Sequence, residues 1–206
     1  MIVIAIIAVL AAITFAIATK AISKAKQTDC IALMRNITIG MEEYYMEHNR
    51  PPLPRNKDDE DTIFGEPNAE YTTEPLMNIL TGGSDLTWTE PDNGDTFDME
   101  HLNPKRVQYV KIQEVPPGKK ESGLWDDGRV YDPWGRELMF AINSRVQVTQ
   151  SNDGFQDEML DTQGFAEWAE IQPNMQPYVM WSYGADGIKG RGTEEFFKGS
   201  DDVKSF

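Results

Sequence analysis

The chain is poor in the residues that usually carry chemistry. It has one cysteine, Cys30, and two histidines, His48 and His101, among 206 residues. A lone cysteine excludes an intrachain disulfide and a cysteine-based zinc site, and within helical sequence it packs as a small hydrophobe. No heme-attachment sequence, phosphate loop or dinucleotide fingerprint occurs. No serine stands in a nucleophile context. His48 adjoins a proline-rich stretch and His101 an acidic one, which points to surface placement and not to catalysis. No enzymatic constellation is found. Basic residues are also scarce: 19 Lys and Arg stand against 34 Asp and Glu, for a net charge of −15 and a pI near 4.5. That balance argues against a nucleic-acid-binding surface. It predicts a solvated, self-repelling exterior, with cation binding the less common alternative.

Charge is missing altogether from the first eighteen residues, Met1 to Ala18. At about 1.5 Å per helical residue this run approaches the hydrocarbon thickness of a bilayer. A secretory signal would carry a basic n-region and a shorter apolar core. A buried core helix would show a polar face, and this run is apolar all round. The expectation is a single membrane span, or a helix packed among identical helices. Lys20, Lys24 and Lys26 follow it and, taken alone, would hold the C-terminal side in the cytoplasm.

Beyond the lysines the pattern becomes one-sided. Cys30, Leu33, Ile37, Met41 and Tyr44 recur at spacings of three and four, with Met34 and Tyr45 beside them. Asp29, Arg35, Glu42, Glu43 and Glu47 lie mostly off that stripe. No proline precedes Pro51, so one helix is expected to about Asn49, ended by the Arg50-Pro-Pro-Leu-Pro run. This divides the chain into a helix over 1–50 and a globular domain over 51–206.

The domain reads as short elements between acidic loops. A helix is expected over 71–82, with Thr73 as cap, Pro75 in the first turn and Gly82 as stop. Strands are expected over 106–113, 137–142 and 176–182. Asp132-Pro-Trp-Gly135 has the signature of a type I turn. The stretches 56–68 and 84–101 read as loops, with 92–98 a solvated acidic turn, and 150–175 as an insertion holding a helix near 165–171. The fold class is α+β: a long helical spine with a small antiparallel sheet on its second half.

Three stretches carry a family resemblance. Met1-Ile-Val-Ile-Ala-Ile-Ile-Ala-Val-Leu-Ala-Ala-Ile13 resembles the hydrophobic N-terminal segment of type IV pilins and of type II secretion pseudopilins. Asp132-Pro-Trp-Gly135, and Ser182-Tyr-Gly-Ala-Asp-Gly187 with Ser200-Asp-Asp-Val-Lys-Ser-Phe206, are similar to the major pseudopilin in particular. These cover about forty residues and leave the middle of the chain unmatched. Family members mature by cleavage before an aromatic residue that becomes N-methylated, and carry a glutamate five residues in. Both features would lie upstream of Met1, so the resemblance implies either a chain that extends beyond Met1 or a protein not processed like its relatives.

The resemblance implies a pilin-like fold and a subunit that polymerises into a pilus-like or pseudopilus filament. Ile4, Ala5, Ala8, Ala11, Ala12 and Phe15 would line the filament core. Before assembly the chain would sit in the inner membrane as a single-pass protein with its domain extracytoplasmic. Its partners would be identical subunits, the inner-membrane assembly machinery and prepilin peptidase, and the filament would be periplasmic or extracellular. A calcium ion would hold the C-terminal loop through Asp186, Asp201 and Asp202, with the Ser182 carbonyl and backbone of 187–192 as further donors. The competing reading is a membrane-anchored extracytoplasmic binding module that does not polymerise.

Overall fold

The computed structural model describes residues 2–54, 62–65, 69, 71–83, 87–89, 94–119, 121–142, 178–188, 190 and 200–205. Side chains at positions 2, 5, 8, 9, 12, 13 and 16 fall outside that description.

Helix α1 runs unbroken over Ile2–His48. It ends where the sequence demands. Asn49 turns into the left-handed region at φ 52°, its N–H donating to the Tyr45 carbonyl at 2.7 Å, and Pro51 follows. One side of the second half is buried: Cys30, Met34, Ile37, Met41 and Tyr44 are fully enclosed, while Leu33 is only half-buried at the edge. Gly40 interrupts the helix at an intrinsic cost of about 1 kcal/mol. The reason is close approach: a Cβ there would collide with the Val110 side chain and lie 2.8 Å from the Tyr109 carbonyl oxygen.

The segment that crosses at Gly40 is 106–113, and it is not the expected strand. Its central backbone groups go to helices. The Tyr109 and Val110 N–H groups both donate to the Leu80 carbonyl, at 2.9 and 3.0 Å, and the Lys111 carbonyl accepts from Asn36 Nδ2 at 2.7 Å. Alternating apolar residues here fit a groove between two helices, not a ladder. Buried Asn103 anchors the segment, donating to the Ile79 and Val107 carbonyls and accepting from the Val107 N–H.

Helix α2 spans Glu74–Thr81, with Pro75 in its first turn and Gly82 closing it at φ 71°. Thr73 precedes it but makes no side-chain cap. Its hydroxyl donates instead to Glu137 at 2.8 Å and accepts from the Val130 N–H at 3.1 Å, while its own N–H donates to Glu137 at 2.6 Å. A buried carboxylate therefore joins the helix entry to the sheet.

The main sheet is antiparallel. It comprises β1 (Thr62–Phe64), β6 (Met139–Ile142), β7 (Tyr178–Ser182) and β8 (Val203–Lys204), in the order β1-β6-β7-β8. Phe140 faces Met180, and Ser182 faces Val203. Two hairpins complete the fold: β2 (Thr87–Thr89) with β3 (Thr96–Asp98), and β4 (Gly123–Leu124) with β5 (Val130–Tyr131). Strand β1 and the first hairpin thus occupy stretches whose acidic, proline-containing composition reads as loop. The expected helix near 165–171 and the rest of 150–175 lie outside the described residues.

The architecture is α+β, a long N-terminal helix with antiparallel sheets. The expected single-pass inner-membrane placement is overturned: no helix among the described residues is long and apolar enough to cross a membrane. From residue 17, where every side chain of α1 is described, Lys20, Lys24, Lys26 and Asp29 break the apolar run within four turns.

Candidate functional site

Two features stand out from the packed domain. The first is the apolar half of α1. Val3, Ile4, Ile6, Ile7, Leu10, Phe15, Ile17 and Ile22 are all exposed, with Phe15 reaching 74 %. Large exposed apolar surfaces of this kind mark interaction sites. Of the side chains expected in a filament core, Ile4, Ala11 and Phe15 are exposed. Those of Ala5, Ala8 and Ala12 lie outside the described ones.

The second is the C-terminal end of the sheet, where two motifs far apart in sequence become one unit. Asp132 is fully buried. Its Oδ1 accepts from the Trp134 and Arg136 N–H groups, both at 2.9 Å, and the Gly135 N–H closes the turn on the Asp132 carbonyl at 3.0 Å. Its Oδ2 accepts a short hydrogen bond from the Ser182 hydroxyl, which in turn accepts from the Gly184 N–H. Arg136 reaches the same turn from the other side, donating to the Gly184 and Ala185 carbonyls at 2.6 and 3.1 Å. Gly184 sits at φ 63°, and any Cβ there would collide with the Asp201 carbonyl oxygen.

Burial is the main influence on the electrostatics here. It pushes the Asp132 carboxyl above its ordinary range, opposed by the hydrogen bonds from Ser182, Arg136 and Trp134. Burial likewise pushes the Cys30 thiol upward, with the Asp132 charge adding and a hydrogen bond to Ser182 opposing. Cys30 is thus an inert packing group and ties α1 to this junction.

Asp186, Asp201 and Asp202 converge just beyond. One carboxylate oxygen from each lies within 4.8 Å of the others. Asp201 Oδ2 accepts from the Ala185 and Asp186 N–H groups, and Asp202 Oδ2 from the Gly190 N–H at 2.9 Å. The other oxygen of Asp202 is buried without a hydrogen-bond partner. The Asp202 carboxyl titrates above its ordinary range, chiefly through burial and further through the charges of Asp201 and Asp186. Three oxygens at this spacing suit a cation with bond lengths of about 2.3–2.6 Å, since opposite ligands then stand about 5 Å apart. The expectation for Ser182 concerns its backbone carbonyl; its hydroxyl donates to Asp132 Oδ2.

Sequence reasoning missed two contacts. The Asp132–Ser182 bond had a signal, the turn motif, but not its partner. His48 is not a free surface group: Nε2 lies 2.8 Å from Tyr109 Oη, which donates to Glu47 at 2.8 Å, and its ring stacks on Tyr44 at 4.3 Å. With the Tyr109 proton directed to Glu47, His48 Nε2 is the donor to the phenol oxygen. His101 is exposed, as expected.

No protein-family profile, characterised protein or solved structure matches this chain.

Proposed function

We propose that the chain is a structural subunit that polymerises through α1 into a helical, pilus-like filament. The observation that carries this is the exposed apolar half of α1, from Val3 to Ile22, set against a second half whose own apolar stripe is already covered. A surface of that size lowers its free energy by packing against another apolar surface, at roughly 25 cal/mol per Å² removed from water. The same surface on every copy supplies a ready partner, and a heterologous contact that does not close generates a fibre. The motif resemblance to pilins and major pseudopilins points the same way.

In this reading the junction around Asp132 fixes the C-terminal loop on the domain surface. A calcium ion held by Asp186, Asp201 and Asp202 would tether the end of that loop, the buried Asp202 oxygen being one of its donors. The ion's part is structural, neutralising like charges that otherwise repel.

The test is to purify the native protein and examine it by electron microscopy and sedimentation, beside Leu10→Glu. Uniform fibres from the native chain, and folded monomers from the variant, are expected. Native protein that stays monomeric, with Leu10→Glu indistinguishable from it, would support a non-polymerising binding module instead.

A further inference from the structure

The β4–β5 hairpin carries two large aromatic side chains that the core does not use. Trp125 at its turn and Tyr131 on β5 stack, with ring centroids 3.8 Å apart and planes 23° from parallel. Both are half-buried. Neither joins the hydrophobic core, although Val130 belongs to it and Leu124 and Trp134 pack against it. Polar bonds hold both rings in place. Trp125 Nε1 donates to the Glu121 carbonyl at 2.9 Å, and Tyr131 Oη donates to Asp127 Oδ2 at 2.7 Å. Asp127 is itself fixed, its other oxygen accepting from the Arg129 N–H at 3.0 Å. Surface rings held this firmly lose little freedom when a ligand packs on them.

Each ring borders a different cavity. Tyr131 lines one of about 330 Å³ with Arg136, Met139 and Tyr183. Trp125 lines one of about 180 Å³ with Pro116, Pro117 and Asp126. Each cavity also holds a charged group with unspent hydrogen-bonding capacity. The Arg136 guanidinium has five N–H donors and gives one to the Gly184 carbonyl and one to the Ala185 carbonyl. It has no ion-pair partner among the described residues. Asp126 is exposed and accepts no hydrogen bond from the described residues. Glu137, on the wall of the larger cavity, is by contrast taken up by Thr73 and Arg129.

A ligand for this surface offers an apolar face to each ring, an acceptor to Arg136 and a donor to Asp126. It is neutral, because Asp126, Asp127 and Glu121 repel an anion near Trp125 and Arg136 repels a cation near Tyr131. A purely apolar ligand would desolvate both charges without pairing them. A proline-rich chain suits aromatic grooves and supplies carbonyl acceptors, but its prolines have no N–H for Asp126. A sugar ring meets every requirement. Its faces carry C–H groups, and the hydroxyls at its edge both donate and accept.

We infer that the Trp125–Tyr131 pair is the platform of a binding site for a neutral oligosaccharide, with one sugar residue against each ring and Arg136 and Asp126 engaging hydroxyls. Two linked contacts favour a chain of several sugars over a single one. The site belongs to the domain, so it does not depend on whether α1 polymerises.

The test titrates the full chain with cellohexaose, maltohexaose, chitohexaose and mannohexaose, read by tryptophan fluorescence and calorimetry. At least one should bind, and at least about tenfold more tightly than its monosaccharide. High salt should leave that affinity unchanged, since the ligand is neutral. Trp125→Ala should weaken binding at least about tenfold, and Trp125→Phe, which keeps a ring, should recover most of the loss. Asp126→Ala should weaken it about tenfold while leaving the thermal midpoint unchanged. Failure of all four sugars to bind would overturn the proposal, as would binding that survives both alanine variants. Binding of a proline decamer instead, lost in Trp125→Ala, would also overturn it and reassign the platform to an extended peptide.

Discussion

The two halves of α1 are built from similar apolar residues and meet opposite fates. In the second half, Met34, Met41 and Tyr44 vanish beneath the sheet, α2 and the 106–113 segment, and the Tyr44 hydroxyl donates to the Leu102 carbonyl at 2.8 Å. In the first half, Leu10, Phe15 and Ile17 have nothing within the described chain to cover them. Helical propensity and hydrophobicity are common to both. What separates them is whether the chain supplies its own partner surface. An apolar residue therefore reports a requirement for burial, and only the fold says whether the same chain meets it.

That contrast can be broken from either side. The largest effects belong to the polymer: Phe15→Glu should abolish fibre formation while leaving the thermal midpoint of the domain unchanged, read by sedimentation and calorimetry together. The mirror experiment, Met41→Ala, should cost the domain about 2–5 kcal/mol by leaving a cavity, measured by denaturant unfolding. Met46→Ala, on the exposed face, should change that stability by no more than about 0.5 kcal/mol. If Phe15→Glu destabilised the domain, or Met41→Ala left its stability unchanged, the division of the helix would be wrong.

Smaller effects sharpen the C-terminal junction. Asp132→Ala strips acceptors from two backbone N–H groups and the Ser182 hydroxyl in a buried site, and should destabilise the domain by about 1–3 kcal/mol or more. Calcium should raise the thermal midpoint of the native chain and leave that of Asp202→Asn unchanged. The smallest effect concerns pH in calcium-free buffer. Asp202 holds its proton more tightly folded than unfolded. Its contribution is therefore fully favourable below the ordinary aspartate value near 3.8 and is lost as pH rises through the raised folded value. Asp202→Asn should flatten that part of the stability profile, followed by thermal melts across pH.

Much of this was legible in the residues, for identifiable reasons. The span of α1 followed from the absence of proline before Pro51, and its buried face from spacings of three and four. Only the centre of that face moved, from Leu33 to Met34. Strands β6 and β7 were found because they are short apolar runs after clear turn signals. The 106–113 segment misled because alternation reports a surface buried on one side, and a groove between α1 and α2 satisfies it as well as a sheet does. Strand β1 and the β2–β3 hairpin were hidden by acidic, turn-rich surroundings, since their pairing comes from partners far along the chain. At the candidate site, the aspartates were placed together by motif alone. The role of Ser182 was not, because its bond to Asp132 spans fifty residues. The membrane placement rests on the eighteen uncharged residues before Lys20, and no helix among the described residues is long and apolar enough to cross a membrane.

The most direct measurement of the central claim is the state of the apolar half of α1 in the native protein. Amide and side-chain protection over residues 3–22, read by hydrogen exchange and by labelling of Phe15→Cys, should be low in dilute, dispersed chains and high once fibres form. Protection that stays low in assembled material would contradict a polymer held by this helix, whatever its outward shape.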